Sequence, residues 1–325
     1  MLLNIIIWTI IISAILGIAF FFFHLMYSES YERRIVLPSH IDMSRKNSPK
    51  LLQKLEEIFS CPNKEIIVDF SRVTNITNSA YMVIMAQAEK SIFKKEKTVK
   101  FALGNNVDVM VKVMFNNNNS SVHHRYFAYD KLKDNFKNKS KELDPSKVIF
   151  AIEKDLKKID VTDYFELNTL ITELIGNAVE HGIQDRNINW WLHHRFDAQS
   201  KSVKISFVDM GIGIVGSHRN AGLPSGYVDK GDRYIVADSL NGKLRSSTGD
   251  DNRGRGLRQI LNMIENNWLS DFILITNTVS VRFINNKLQY QDHLNFVGTF
   301  YSFSINKNNF EQWKRKLSIL RKISA

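Results

Sequence analysis

Glu173 and Asn177 stand four residues apart in the run Glu173-Leu174-Ile175-Gly176-Asn177-Ala178, with Glu180, His181 and Gly182 following. On a helix that spacing brings a carboxylate and a carboxamide onto one face. The carboxamide oxygen can ligate Mg2+, and the carboxylate can orient or deprotonate a water beside a terminal phosphate. A second group, Asp209-Met210-Gly211-Ile212-Gly213-Ile214, follows an apolar run that ends at Val208. A carboxylate at a strand end can accept hydrogen bonds from an exocyclic amine such as that of adenine, and glycines at alternate positions let the backbone turn tightly against a flat base. The third group is Gly254-Arg255-Gly256-Leu257, preceded by Ser246, Ser247, Thr248 and Gly249. Amides freed at a helix N-terminus bind phosphate oxygens with the help of the helix dipole, and Arg253 and Arg255 can add charge-assisted contacts. Taken singly, the first two groups have plain readings, as an amphipathic helix and as an Asp-Gly turn. The third is neither a P-loop, since no Gly-Lys-Ser/Thr ends it, nor a Rossmann fingerprint.

The elements that must hold these groups are visible in the apolar pattern. A helix is expected from Asp163, where Glu166 completes a capping box and Leu167, Leu170, Ile171, Leu174 and Ala178 form one apolar face. Asn189 to Phe196 and Val203 to Val208 read as strands joined by Asp197 to Ser202. A glycine-rich polar stretch runs from Met210 to Arg253, and a helix from Gly256 to Asn267. Strands at Phe272 to Thr276, Val279 to Ile284 and Thr299 to Ile305 complete a largely hairpin-connected sheet, so this part is α+β. Upstream, a strand at Ile35 to Ile41, a helical stripe of Leu51, Leu52, Leu55, Ile58 and Phe59, a strand at Glu65 to Phe70, a helix at Ser79 to Phe93, a strand at Thr98 to Leu103 and a helix at Val107 to Phe115 alternate as in a small α/β domain. It closes at the polar run Asn116 to Ser121. Val122 to Lys158, rich in Lys and Asn with Phe136 and Phe150 among few apolar markers, reads as connector, and His123 and His124 within it read as surface or packing residues.

Together, and in this order, the three groups resemble the GHKL ATPase superfamily of gyrase, heat-shock chaperones, histidine kinases and mismatch-repair proteins. Glu173 to Gly182 is similar to its N box, Asp209 to Ile214 to its first glycine box and Gly254 to Leu257 to its second. Gly298-Thr299-Phe300-Tyr301-Ser302-Phe303 is similar to the final strand of the kinase-like members. The resemblance spans the second half of the chain. It implies a two-layer α/β sandwich that binds ATP, with Glu173 as base, Asn177 on Mg2+, Asp209 with Gly211 and Gly213 at adenine, Thr248, Gly254, Arg255, Gly256 and Leu257 around the phosphates, and Gly216 to Arg253 as nucleotide lid. The run Asp69 to Tyr81 more faintly resembles the strand, turn and helix start of STAS domains. Ser79 then falls where STAS antagonists of anti-sigma factors carry a phosphorylatable serine, with a helix N-cap as its alternative role. Thr77 and Ala80 depart from that pattern at its acidic and glycine positions.

The 325 residues carry 44 Lys and Arg against 33 Asp and Glu, a formal net charge of +11. Such a balance attracts anionic partners, whether lipid headgroups, nucleic acid or nucleotide phosphates. No basic-aromatic nucleic-acid module is recognisable. One cysteine, Cys61, excludes an internal disulfide framework. Met1 to Phe23 carries no charged side chain and is long enough to span a bilayer, while Arg33, Arg34, Arg45 and Lys46 follow it. The expectation is an uncleaved transmembrane helix with the C-terminal bulk in the cytoplasm. The expected fold class is therefore α+β: a transmembrane anchor (1–27), a small α/β STAS-like domain (33–118), a connector (119–160), the sandwich ATP-binding domain (161–306) and a basic amphipathic tail (307–325). In that tail Phe310, Trp313, Leu317 and Leu320 share a helical face that can pack on the domain or lie on anionic lipid.

Within the family resembled, gyrase-type members continue into a further domain, and sensor kinases place a phosphoacceptor His box before the ATPase unit. Neither is visible here. The remaining branch, the anti-sigma kinases that work with STAS antagonists, implies a membrane-anchored regulatory ATPase or Ser/Thr-type kinase that controls a protein partner, with homodimerisation open. A non-hydrolysing ATP-gated scaffold is the alternative.

Overall fold

The computed structural model describes residues 13–22, 32–44, 47–95, 97–103, 126–128, 146–162, 164–181, 190–244 and 256–323. Residues 33–102 form β1 (Arg33–Val36), β2 (His40–Ile41), α2 (Ser48–Ser60), β3 (Glu65–Asp69), β4 (Asn75–Ile76), α3 (Asn78–Lys95) and β5 (Thr98–Ala102), with α1 denoting the helix over 13–22. Strands β1, β3 and β5 pair in parallel in that order, and β2 and β4 make a short parallel pair. Parallel pairing requires crossovers, which α2 and α3 supply. The strand expected from Ile35 to Ile41 is split, because Pro38 has no N–H to donate to a ladder.

Helix α3 explains the larger architecture. Ala80, Tyr81, Met82, Val83, Ile84, Met85 and Ala86 are all buried, on every side of the helix rather than along one stripe. A helix apolar all round must lie between two layers. One is the parallel sheet. The other is a five-stranded sheet ordered β6-β7-β8-β10-β9, made of β6 (Tyr126–Ala128), β7 (Trp190–Asp197), β8 (Ser202–Asp209), β9 (Ser270–Ile284) and β10 (Lys287–Asn306). Strand β6 runs parallel to β7, and the others are antiparallel.

Because successive side chains in a strand point to opposite faces, each strand of the large sheet serves two cores. Trp190, Leu192, Phe207, Leu274 and Tyr301 enter one core together with α4 (Ser146–Lys157), α5 (Phe165–His181), α6 (Gly213–Ala221), α7 (Asp232–Leu240), α8 (Gly256–Glu265) and α9 (Lys307–Ile323). Their neighbours Trp191, Val208, Ile275 and Phe300 belong to the core formed with α2 and α3. Polar ties cross the same seam. Asn78 Nδ2 lies 2.8 Å from His193 Nε2, and Arg282 Nη2 donates to the Met43 carbonyl at 2.9 Å.

Several expectations are corrected. The transmembrane helix of the expected fold class is not borne out: among the described residues no helix is long and apolar enough to cross a membrane. The expected connector contains α4, whose Val148, Ile149, Ile152 and Leu156 are buried while Phe150 faces solvent. Lysines every few residues hide this stripe in the composition. The three closing strands are two long ones, β9 and β10, and the expected lid stretch holds α6, one 3₁₀ turn at Ser225–Tyr227, and α7. In the tail, Phe310 and Trp313 are buried, with Trp313 tilted against Trp268 at 5.6 Å between ring centroids. Residues 107–121, His123, His124 and Phe136 lie outside the described residues.

The stripe on α4 gives a direct check. Ile152→Ala should lower stability by about 2–5 kcal/mol in urea unfolding, whereas Phe150→Ala, at an exposed position, should change it by less than about 0.5 kcal/mol.

Candidate functional site

Helix α5 turns Leu167, Leu170, Ile171, Leu174, Ile175 and Ala178 into the core and leaves Glu173 and Asn177 half-buried one turn apart. Helix α8 buries Ile260, Leu261, Met263 and Ile264, which aims its first residue, Gly256, at α5. A Cβ built on Gly256 would overlap Glu173 Oε2 and lie 3.1 Å from its Cδ. The carboxylate therefore occupies the space a side chain would take, at the positive end of α8. Gln259 Nε2 also reaches Glu166 Oε2 at 3.4 Å between the same helices. The Asn177 carboxamide makes no hydrogen bond among the described residues, whereas Glu173 is engaged.

At the other end, Asp209 closes β8 between Trp190 of β7 and Thr299 of β10. Its Oδ1 accepts from the Gly211 amide at 2.9 Å, and Thr299 donates a further side-chain hydrogen bond. Burial pushes its carboxyl up to about 6, against the lowering effect of the Gly211 amide, the Lys90 charge and Thr299. Gly213, at φ +75, needs to be glycine twice over, since a Cβ there would overlap Asn277 Oδ1 and sit 2.8 Å from Thr276 Oγ1. Those two side chains cap α6: Thr276 Oγ1 accepts from the Ile214 amide at 3.0 Å, and Asn277 Oδ1 from the Val215 amide at 3.0 Å. Gly298, at φ +121, lets β10 approach so closely that a Cβ would overlap the Asp209 carbonyl.

The sequence-derived residues thus gather as two groups. Glu173 meets Gly256 across α5 and α8, with Asn177 one turn along α5 from Glu173 and Leu257 beside Gly256 partly buried against the core. Asp209, Gly211 and Gly213 share one turn. Thr248, Gly254 and Arg255, like Gly182 and Asp163, lie outside the described residues. Ser79 is half-buried in the first turn of α3, but the helix is capped by Thr77, whose Oγ1 accepts from the Ala80 amide at 3.4 Å and lies 3.2 Å from Ser79 Oγ. Sequence reasoning missed Lys90, Thr276 and Asn277. Thr276, Asn277 and Thr278 interrupt two apolar runs, a trace of the capping role, and Lys90 is a buried cation one turn beyond the apolar stretch Ala80–Ala86 of α3.

Glu173 and Asn177 are the side-chain oxygen donors that α5 offers here. Carboxamide and carboxylate oxygens one helical turn apart are hard ligands, and the carboxylate lies against the first residue of α8. Among the described residues no group of three or more His, Cys, Asp or Glu could hold a metal by itself. Compared with known proteins, the chain matches no protein-family model and no curated sequence.

Asp209 and the seam residue His193 titrate with opposite sign. Asn78 Nδ2 can only donate, so His193 Nε2 accepts and the ring is neutral; burial pushes its titration down to about 3. Stability from neutral His193 is full above its ordinary 6.5 and is lost as pH falls from there towards 3. Asp209, raised from 3.8 to about 6, does the reverse: its burial is penalised above about 6 and that penalty is relieved as pH falls. His193→Gln, which keeps an acceptor for Asn78, should therefore gain stability relative to the wild type as pH falls from about 6.5 to 4.5, measured by urea unfolding at each pH.

Proposed function

We propose that the chain binds Mg-ATP at Glu173, Asn177 and Gly256, with Asp209 at the base end, and works as a regulatory ATPase or Ser/Thr-type protein kinase acting on a partner protein. The observation that carries this reading is the contact of Glu173 with Gly256, which joins a carboxylate-carboxamide helix face to an amide-bearing helix start. Two segments far apart in sequence, α5 and α8, meet at this contact.

The nucleotide, when bound, supplies the terminal phosphoryl group. Asn177, with no hydrogen bond among the described residues, offers its carboxamide oxygen to Mg2+. The amides at the start of α8 take phosphate oxygens. Glu173, beside them, accepts the proton of the attacking water or hydroxyl. Asp209 is ionised at neutral pH, given a midpoint of about 6, and can accept from an exocyclic amine that a guanine carbonyl would not supply. Lys90, Thr276 and Asn277 keep the turn that carries it in place.

Titration calorimetry of the full chain with ATP and Mg2+ tests the site. Asn177→Ala should weaken binding at least about tenfold, or about 1.4 kcal/mol, with an unaltered melting curve. Unchanged affinity in that variant would overturn the assignment. Glu173→Gln should keep ATP bound and lose release or transfer of labelled terminal phosphate. Free phosphate identifies the ATPase, labelled protein the kinase, and neither product from the wild type the ATP-gated scaffold.

A further inference from the structure

Lys90 lies on α3, only 5% exposed, and reaches across the seam into the large sheet's turn. Its Nζ donates to the Met210 carbonyl and, at 3.1 Å, to the Gly211 carbonyl. The next carbonyl along, Ile212, accepts from Asn277 Nδ2 at 2.9 Å. Three consecutive carbonyls are thus fixed by side chains from outside the turn, two of them by one residue of the first unit. Fixing the Met210 and Gly211 peptide planes also fixes the Gly211 amide that holds Asp209 Oδ1 at 2.9 Å. A buried ammonium is costly unless it is compensated, and the two carbonyls and the nearby Asp209 charge compensate this one. The surrounding seam is a shared apolar core in which Met210 itself is buried with Tyr81, Met82 and Met85.

We infer that Lys90 is a positioning residue for the nucleotide site: the first unit acts as a resident partner that sets the Asp209 turn through this one ammonium. The inference rests on the reading of that turn as the base end of the site. It makes the first unit part of the site's construction rather than a separate module that docks and leaves. A ligand or modification acting on α3 would reach Asp209 through a displacement of Lys90, without any opening of the seam.

The test compares full-length wild type with Lys90→Met, Lys90→Arg and Asn78→Ala, the last removing a hydrogen bond elsewhere in the same seam. Amide hydrogen exchange is followed without nucleotide over residues 209–216, with Val148–Leu156 as internal reference, and ATP affinity is measured in Mg2+. Lys90→Met should speed exchange across the turn by about tenfold or more and leave the reference unchanged. The same variant should weaken ATP at least about tenfold. Lys90→Arg, which keeps charge and donors, should restore both to within about threefold, and Asn78→Ala should leave both within about threefold of the wild type. Wild-type exchange in Lys90→Met, or equal loosening by Asn78→Ala, overturns the inference. A wild type that binds no ATP overturns the nucleotide reading instead, and the exchange comparison still decides the role of Lys90. Should Lys90→Met not fold, Lys90→Gln replaces it, with turn exchange expected between the wild type and full loosening; wild-type exchange there overturns the inference.

Discussion

The structure depends on one requirement, that a single sheet bury both of its faces. In β7, β8, β9 and β10 neighbouring residues divide between two cores, Trp190 and Trp191 being the clearest pair. A strand so placed cannot shift by one residue without exchanging every side chain between the cores. That registry fixes where β8 ends, and therefore where Asp209 stands relative to Thr299. It also explains α3, whose stretch Ala80–Ala86, apolar on all sides, would be untenable on an isolated small domain. The helical layer on the opposite face then brings α5 against α8, and with them Glu173 against Gly256.

How far the sequence revealed this varies from element to element. The apolar stripes of α2 and α5 have a helical period, and the runs Glu65 to Asp69 and Val203 to Val208 are short, β-rich and bounded by turn residues, so they are legible. The stripe of α4 is masked by interspersed lysines, and composition favours a connector where a core helix stands. The split of β1 from β2 was written in Pro38. The union of β9 across Asn277 was not, because a polar residue between apolar runs ordinarily marks a turn, and here it serves as a cap for another element. Of the run Met1 to Phe23 only 13–22 are described, and among the described residues no helix is long and apolar enough to cross a membrane.

For the site, spacing revealed what lies within one segment. Glu173 and Asn177 are brought together by helix geometry, and Asp209 with Gly211 by a local turn. What sequence could not show was which residues from distant segments close on these groups. Lys90, Thr276 and Asn277 act through tertiary contacts, and no local pattern announces them.

The seam along Trp191, Val208, Ile275 and Phe300 has a consequence for how the chain can be divided. A fragment lacking residues 32–103 would retain all its helices on one face and present these side chains as a bare hydrophobic surface on the other. Dissection at the expected domain boundary would thus yield a sticky half-molecule, and the same holds during synthesis: the large sheet reaches its final packing only against a layer already made, so the order of the chain from N- to C-terminus matches the order in which its surfaces become safe to expose.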